Sequence, residues 1–148
     1  MDYRFQNFTV SISKIARNIR KIKSKEMDDL GLKGVHASCL YHLYLNSNLT
    51  AKELCVLCDE DKAAISRTLE YLENNEFIVC HSKSEKRYNS PIELTEKGRN
   101  VGVKVSIKVD NILNEASIGL SEEDRQVFYK ALFLISDNLQ NICDKYGD

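Results

Sequence analysis

Apolar residues recur at Phe5, Phe8, Ile12, Ile15, Ile19 and Ile22 in alternating steps of three and four, a spacing that gathers them in one stripe along a helix. The stripe predicts a long amphipathic first helix and suits packing against another helix, as from a second subunit, better than a globular core; an ordinary core helix is the alternative. Gly31 and Gly34 then break the pattern. A second helix is expected from about Val35 to Leu45, with Val35, Cys39, Leu40 and Leu43 on one side and Asn46, Ser47 and Asn48 ending it. In the run that follows, Thr50 can cap the amide of Glu53 while Glu53 reaches back, and Leu49 can pack on Leu54. A third helix therefore starts at Thr50. It is short, because Asp59 to Asp61 offers a new cap ahead of the helical stretch KAAISRTLEYLENN. There Ile65, Leu69 and Leu72 make an apolar face, while Lys62, Ala63, Ser66, Arg67 and Glu70 point elsewhere.

After Asn74 and Asn75 the pattern changes to short extended runs, Phe77 to Ser82 and Ser90 to Leu94, joined by the polar turn Lys83 to Asn89. This predicts a small hairpin, with Pro91 suited to an edge strand because it has no N–H to donate. Thr95 caps a further helix. Two periods compete within it: Val101, Val103, Val105, Ile107 and Val109 alternate as in a strand, whereas Val105, Val109, Ile112 and Ala116 share a helical face. Ser121, followed by Glu122, Glu123 and Asp124, starts the last helix with a cap and an acidic first turn. Its stripe runs Phe128, Leu132, Ile135, Leu139, Ile142 and Tyr146, so the two ends of the chain carry matching seams.

Two short helices with a tight connection, then a hairpin with a basic tip, form a winged helix-turn-helix. Lys62, Ala63, Ala64 and Ser66 lie near the start of the second helix, where short side chains let the backbone approach a major groove. Arg67 can span to a phosphate or make a two-pronged contact to guanine, and the amides of a helix start favour phosphate. The candidate DNA contacts are Thr50, Lys52, Lys62, Ala63, Ser66 and Arg67 on the helix pair, with Lys83, Lys86 and Arg87 on the wing.

A formal net charge of -1 over 148 residues carries no bulk electrostatic signature of a nucleic-acid binder. Any such contact has to come from placed residues. Charge is uneven: Lys14, Arg17, Arg20, Lys21, Lys23 and Lys25 crowd the first helix, and Asp59, Glu60, Asp61, Glu70, Glu73 and Glu76 crowd the middle. The 43% hydrophobic content is enough for a real core, no stretch approaches the roughly 18 apolar residues of a membrane span, and no leader pattern opens the chain. A soluble, cytoplasmic protein without membrane contact is expected, its five cysteines free thiols in a reducing compartment. No cofactor and no metal site is expected.

Over nearly its whole length the chain resembles the MarR family of regulators, a resemblance carried by LTAKEL at 49 to 54, DKAAISRTLEYLENNEFI at 61 to 78 and KRYNSPIELTEKG at 86 to 98. The resemblance implies a mainly α fold with a small β-hairpin wing, in which a winged helix-turn-helix is joined to a dimerisation region of terminal helices. It favours the helical reading of 101 to 109. The implied division is a dimerisation helix and linker at 1–34, the DNA-binding region at 35–94 and dimerisation helices at 95–148, interwoven as one domain. It further implies a homodimer on double-stranded DNA, a reading helix at Asp61 to Asn75, and release by a small-molecule effector or an oxidant. The chain departs from the family's pattern at Glu76, where glycine is common, and in the wing, where Lys86 and Tyr88 stand in place of an acid and an arginine.

In the family, the second helix borders the effector cleft, so His36, Tyr41 and Tyr44 are candidate effector contacts, with His42 nearby; ordinary helix packing is the simpler role for them. Cys55 and Cys58 form a CVLC pair. It can act as a dithiol switch, as half of a metal site completed by Cys80 and His81, or as small apolar filling between helices, the reading favoured here. The expected function is therefore a sequence-specific transcriptional regulator, a repressor on a pseudo-palindromic operator, and not an enzyme. The alternatives are a thiol-based redox-responsive regulator or dithiol oxidoreductase using Cys55 and Cys58, and a winged-helix module that binds protein.

Overall fold

The computed structural model describes residues 4–81 and 88–147. Helix α1 spans Arg4–Glu26, and a short 3-10 turn, Asp28–Leu30, leads to α2 at Gly34–Leu45. Helices α3 (Ala51–Cys58) and α4 (Lys62–Asn74) follow, then strands β1 (Ile78–Cys80) and β2 (Ile92–Leu94), α5 (Glu96–Ala116) and α6 (Glu122–Asp144). The chain divides into two compact units between Val109 and Asp110. Among the described residues no helix is long and apolar enough to cross a membrane.

The core of the first unit is built from Met27, Leu40, Leu54, Ile65, Leu72, Ile78 and Val105, all essentially inaccessible to solvent. It holds α2, α3, α4 and the hairpin together, with α5 supplying Val105. The break after α1 comes earlier than Gly34: the buried Met27 accepts at its carbonyl from the amides of Leu30 and Leu32 (3.1 and 3.3 Å), and Gly31 turns left-handed at φ 65°. Gly34 opens α2.

The third helix starts as its sequence predicts. Thr50 accepts from the Glu53 amide (3.3 Å) while the Glu53 carboxylate accepts from the Thr50 amide (2.8 Å). The Thr50 amide, and then its hydroxyl (2.9 Å), donating to the Glu53 carboxylate hold that carboxyl below its ordinary pKa. The hairpin is shorter than the extended runs suggested. β1 and β2 pair antiparallel with Ile78 opposite Leu94, Val79 opposite Glu93 and Cys80 opposite Ile92. The ladder begins at Ile92 because Pro91 has no N–H, and the Ile92 amide itself donates to the carbonyl of Leu49 (2.9 Å), tying the hairpin to the entry of α3.

The ambiguous valine run is helical throughout. Gly98, Gly102 and Val105 are buried in steps of four and three, with Val101 and Val109 half-buried beside them, while Val103 and Ile107 are exposed. Close approach explains the glycines: a Cβ at Gly98 would come within 1.9 Å of the Phe77 carbonyl oxygen, and one at Gly102 within 2.8 Å of the Tyr44 Cβ. Helix α6 opens on a second capping box, Ser121 with Asp124. None of its residues is buried within the chain, and Phe128, Ile135, Leu139, Ile142 and Tyr146 lie exposed.

The end of α4 carries strain. Phe77 donates back to Leu72 (2.8 Å) and Glu76 to Glu73 (3.0 Å), the paired bonds that close a helix through a left-handed residue. That residue is Glu76, at φ 60°. The start of α5 clamps the same turn: the Thr95 hydroxyl donates to the Glu76 carbonyl (2.6 Å) and accepts from the Gly98 amide, and Lys97 donates to the Asn75 carbonyl (2.7 Å). A left-handed side-chain-bearing residue costs about 1 to 2 kcal/mol, offset in part by the greater unfolded-state freedom of glycine. Glu76→Gly is therefore expected to raise stability by up to about 1 kcal/mol, read as an upward shift of about 2 to 4 °C in thermal unfolding. A lowered midpoint would show that the turn is not strained.

Candidate nucleic-acid interface

Helix α4 has one buried and one exposed side. Ile65, Thr68, Leu69 and Leu72 are buried, and Lys62, Ala63, Ser66, Arg67 and Glu70 lie exposed on the opposite side. Lys52 is exposed on α3, whereas Thr50 is half-buried with its hydroxyl engaged in the capping box. Thr68, a buried polar residue, was not marked by the spacing of aliphatics alone. The start of α4 is already supplied with an anion: Asp61 accepts from the Ala64 amide at 2.7 Å. The helix-start amides therefore have less to offer an external anion, which leaves Lys52, Lys62 and Arg67 as the exposed cations of α3 and α4.

Tyr88, to which its sequence position assigns no role, is in contact with both helices. Its ring lies 4.6 Å from the Lys62 Nζ, and its hydroxyl is 3.6 Å from the Cys55 thiol. It thus ties the base of the hairpin to both α3 and α4, and the cation over its face is held at the start of α4. An aromatic between a basic tip and Pro91 was the only signal available. Across the strands, His81 meets Glu93 at 2.9 Å. The wing cations Lys83, Lys86 and Arg87 lie outside the described residues.

No protein-family profile matches the chain. The chain is 23% identical over 128 residues to an uncharacterized HTH-type transcriptional regulator, YwoH, of Bacillus subtilis, covering 86% of this chain and 93% of that protein. It superposes on Staphylococcus aureus MarR in complex with salicylate and kanamycin with a TM-score of 0.79 at 19% identity, over 95% of each chain. Against the S. aureus MepR–DNA complex the TM-score is 0.76 at 16% identity, over 89% of this chain and 96% of that one. The fold is that of the MarR family.

Within this MarR fold the three candidate effector residues have separate surroundings. His36 is buried and stacked on Tyr71 of α4, ring centroids 4.1 Å apart and 12° from parallel. Burial, and then the charge of Lys33, lower its pKa, so it sits in the core as the neutral imidazole. Tyr41 packs edge-on to His42 at 5.3 Å. Tyr44 lines an open groove of about 420 Å³ with Asn48, Ile92, Glu93 and Arg99. Of the three, only Tyr44 borders this groove.

The CVLC cysteines also separate. Cys55 faces Tyr88, and Cys58 faces Cys39 of α2 with 3.8 Å between the sulfurs. Cys39 is fully buried, and its hydrogen bond to Cys58 together with burial pushes its thiol far up. Cys58 is half-buried and goes the other way: the bond from Cys39 lowers its pKa and Lys23 adds to this, against burial and Glu60.

Proposed function

We propose that the chain is a homodimeric, sequence-specific DNA-binding transcriptional regulator, a repressor acting on a pseudo-palindromic operator, and not an enzyme. The exposed face of α4 carries this reading: two small side chains, Ala63 and Ser66, sit beside Arg67 on a helix whose other side is locked into the core. That combination lets a backbone enter the major groove with one long cation free to reach guanine or phosphate. The fold shared with the S. aureus MepR–DNA complex supports it. Lys52 and Lys62, and on the wing Lys83, Lys86 and Arg87, supply phosphate contacts that set register without reading sequence.

Dimerisation is part of the proposal, through residues 1–34 and 95–148. Phe8, Ile12, Ile15, Ile19 and Ile22 of α1, and Phe128, Ile135, Leu139, Ile142 and Tyr146 of α6, are exposed in the single chain, and a second copy covers them. A small-molecule effector acts beside α2, a reading supported by the fold shared with the salicylate complex of S. aureus MarR. Tyr44, at the groove, is better placed for it than His36, stacked on Tyr71, or Tyr41, packed edge-on to His42.

Selection of bound sequences from a random duplex pool tests the function. The expected product is a pair of inverted half-sites whose centres lie about 10 base pairs apart or a multiple of that. A pool that returns no enriched sequence, with binding that is equally strong to any duplex, would remove the regulator reading in favour of non-specific or protein binding.

A further inference from the structure

A contact between two thiols joins α2 to the end of α3. Cys39 lies in the middle of α2 and Cys58 is the last residue of α3, and their sulfurs are 3.8 Å apart. A disulfide needs about 2.05 Å, so closure brings the sulfurs about 1.75 Å closer than their present contact. We propose that Cys39 and Cys58 form an intramolecular disulfide between α2 and α3 when the protein meets a hydroperoxide, and that this bond displaces the reading helix.

The two thiols have complementary roles. Cys58 is half-buried, which leaves the oxidant an approach, and Cys39 is shielded from it. Lys23 stands close by, its Nζ donating to Ser38 at 2.6 Å, next in sequence to Cys39. Its charge and the S–H of Cys39 both favour the thiolate on Cys58. Attack of that thiolate on the peroxide forms an S–O bond and breaks the O–O bond; the alkoxide leaves and takes up a proton as the alcohol. Cys39 then loses its proton and attacks the Cys58 sulfenic acid, the S–S bond forms, the S–O bond breaks and hydroxide leaves as water. Two thiols are oxidised by two electrons and one peroxide is reduced. Cys55, engaged with Tyr88, takes no part.

The structural consequence follows from what succeeds Cys58. Asp59 turns left-handed at φ 52°, the Glu60 amide donates to the Cys55 carbonyl at 3.0 Å, and Asp61 caps α4. Drawing Cys58 towards α2 strains this connection and moves the start of α4. The effect on DNA rests on the regulator reading above; the disulfide itself does not.

The test uses the full chain treated with tert-butyl hydroperoxide, residual thiols then blocked with N-ethylmaleimide, and peptides mapped without reductant. The expected result is a loss of about 2 Da per chain with two thiols protected from alkylation and a cross-link between the peptides holding Cys39 and Cys58. The cross-link should persist in Cys55→Ser, be absent in Cys58→Ser and in Cys39→Ala, and reverse with dithiothreitol. Binding to a selected operator should fall at least about tenfold on oxidation and remain unchanged in Cys58→Ser. A Cys55–Cys58 linkage, a disulfide between chains, or sulfinic acid on Cys58 with Cys39 still reduced would overturn the pairing. Formation of the cross-link with operator affinity unchanged would overturn the displacement of the reading helix. The mass readout needs no DNA, so the chemistry is decided even if the chain proves not to be a regulator.

Discussion

Replacing Arg67 with alanine is expected to weaken binding to the selected operator by about 1 to 3 kcal/mol, roughly 5- to 150-fold, while leaving the fold intact. The reasoning starts from position. Arg67 lies one helical turn beyond Ala63 on the exposed side of α4, and the adjoining Thr68 and Leu69 are buried. Truncation therefore removes a long cation from the surface without opening the core, and thermal unfolding should be unchanged within about 0.5 kcal/mol. The size of the loss separates two roles. A two-pronged contact to guanine is lost mainly at one operator position, so the variant should tolerate base changes there. A phosphate contact is lost for every sequence alike and lowers the salt slope by about one ion. Isotherms on the operator and on single-base variants at two salt concentrations distinguish these. A folded variant that binds as the parent does at both would take Arg67 out of the interface.

Much of the architecture was legible because local signals agreed with one another. Thr50 with Glu53, Asp61 ahead of α4 and Ser121 with Asp124 each start a helix at the residue their capping chemistry indicates. The valine run was ambiguous because alternation and helical spacing coincide over so few residues; Gly98 and Gly102, whose lack of side chains lets α5 pack against Phe77 and Tyr44, settle it. What spacing in one element cannot show is contact between elements. Spacing paired Cys58 with Cys55 on one helix as one of several readings, but it could not show that the Cys58 thiol meets Cys39, nineteen residues earlier. Spacing left His36 open between an effector contact and helix packing, and it does not show the stack on Tyr71. Tyr88 carried a packing role that depends on the hairpin folding back over α3 and α4. In each case the missing information was tertiary.

Disrupting the terminal seams is expected to have the largest effect on function although it touches no residue of the reading head. Ile12, Ile15, Ile19 and Ile22 of α1 are 40 to 54% exposed, and Leu139 and Ile142 of α6 are 48% and 45% exposed. Contiguous apolar stripes of this kind are rarely left in water and mark a surface that another chain covers. The functional need points the same way. A single head with so few cations should bind DNA only at about the non-specific level, with a dissociation constant on the order of 10⁻⁴ to 10⁻⁶ M. Two heads held together make the second half-site contact intramolecular, which multiplies affinity by about 10² to 10⁴ without any new contact. Ile15→Asp with Ile19→Asp, or Leu139→Asp with Ile142→Asp, puts charge into the seam, where burial of an unpaired carboxylate is prohibitive. The expected outcome is a monomer, or an unfolded chain if the protomer cannot stand alone, with specific operator binding lost by at least about a hundredfold. Alanine at the same four positions, which removes apolar area without adding charge, should raise the dimer dissociation constant while circular dichroism shows the helices retained. Sedimentation beside a binding assay reads both. A wild-type protein that sediments as a monomer at micromolar concentration yet binds one half-site tightly, or aspartate variants that stay dimeric, would refute the dimer on which the operator's symmetry depends.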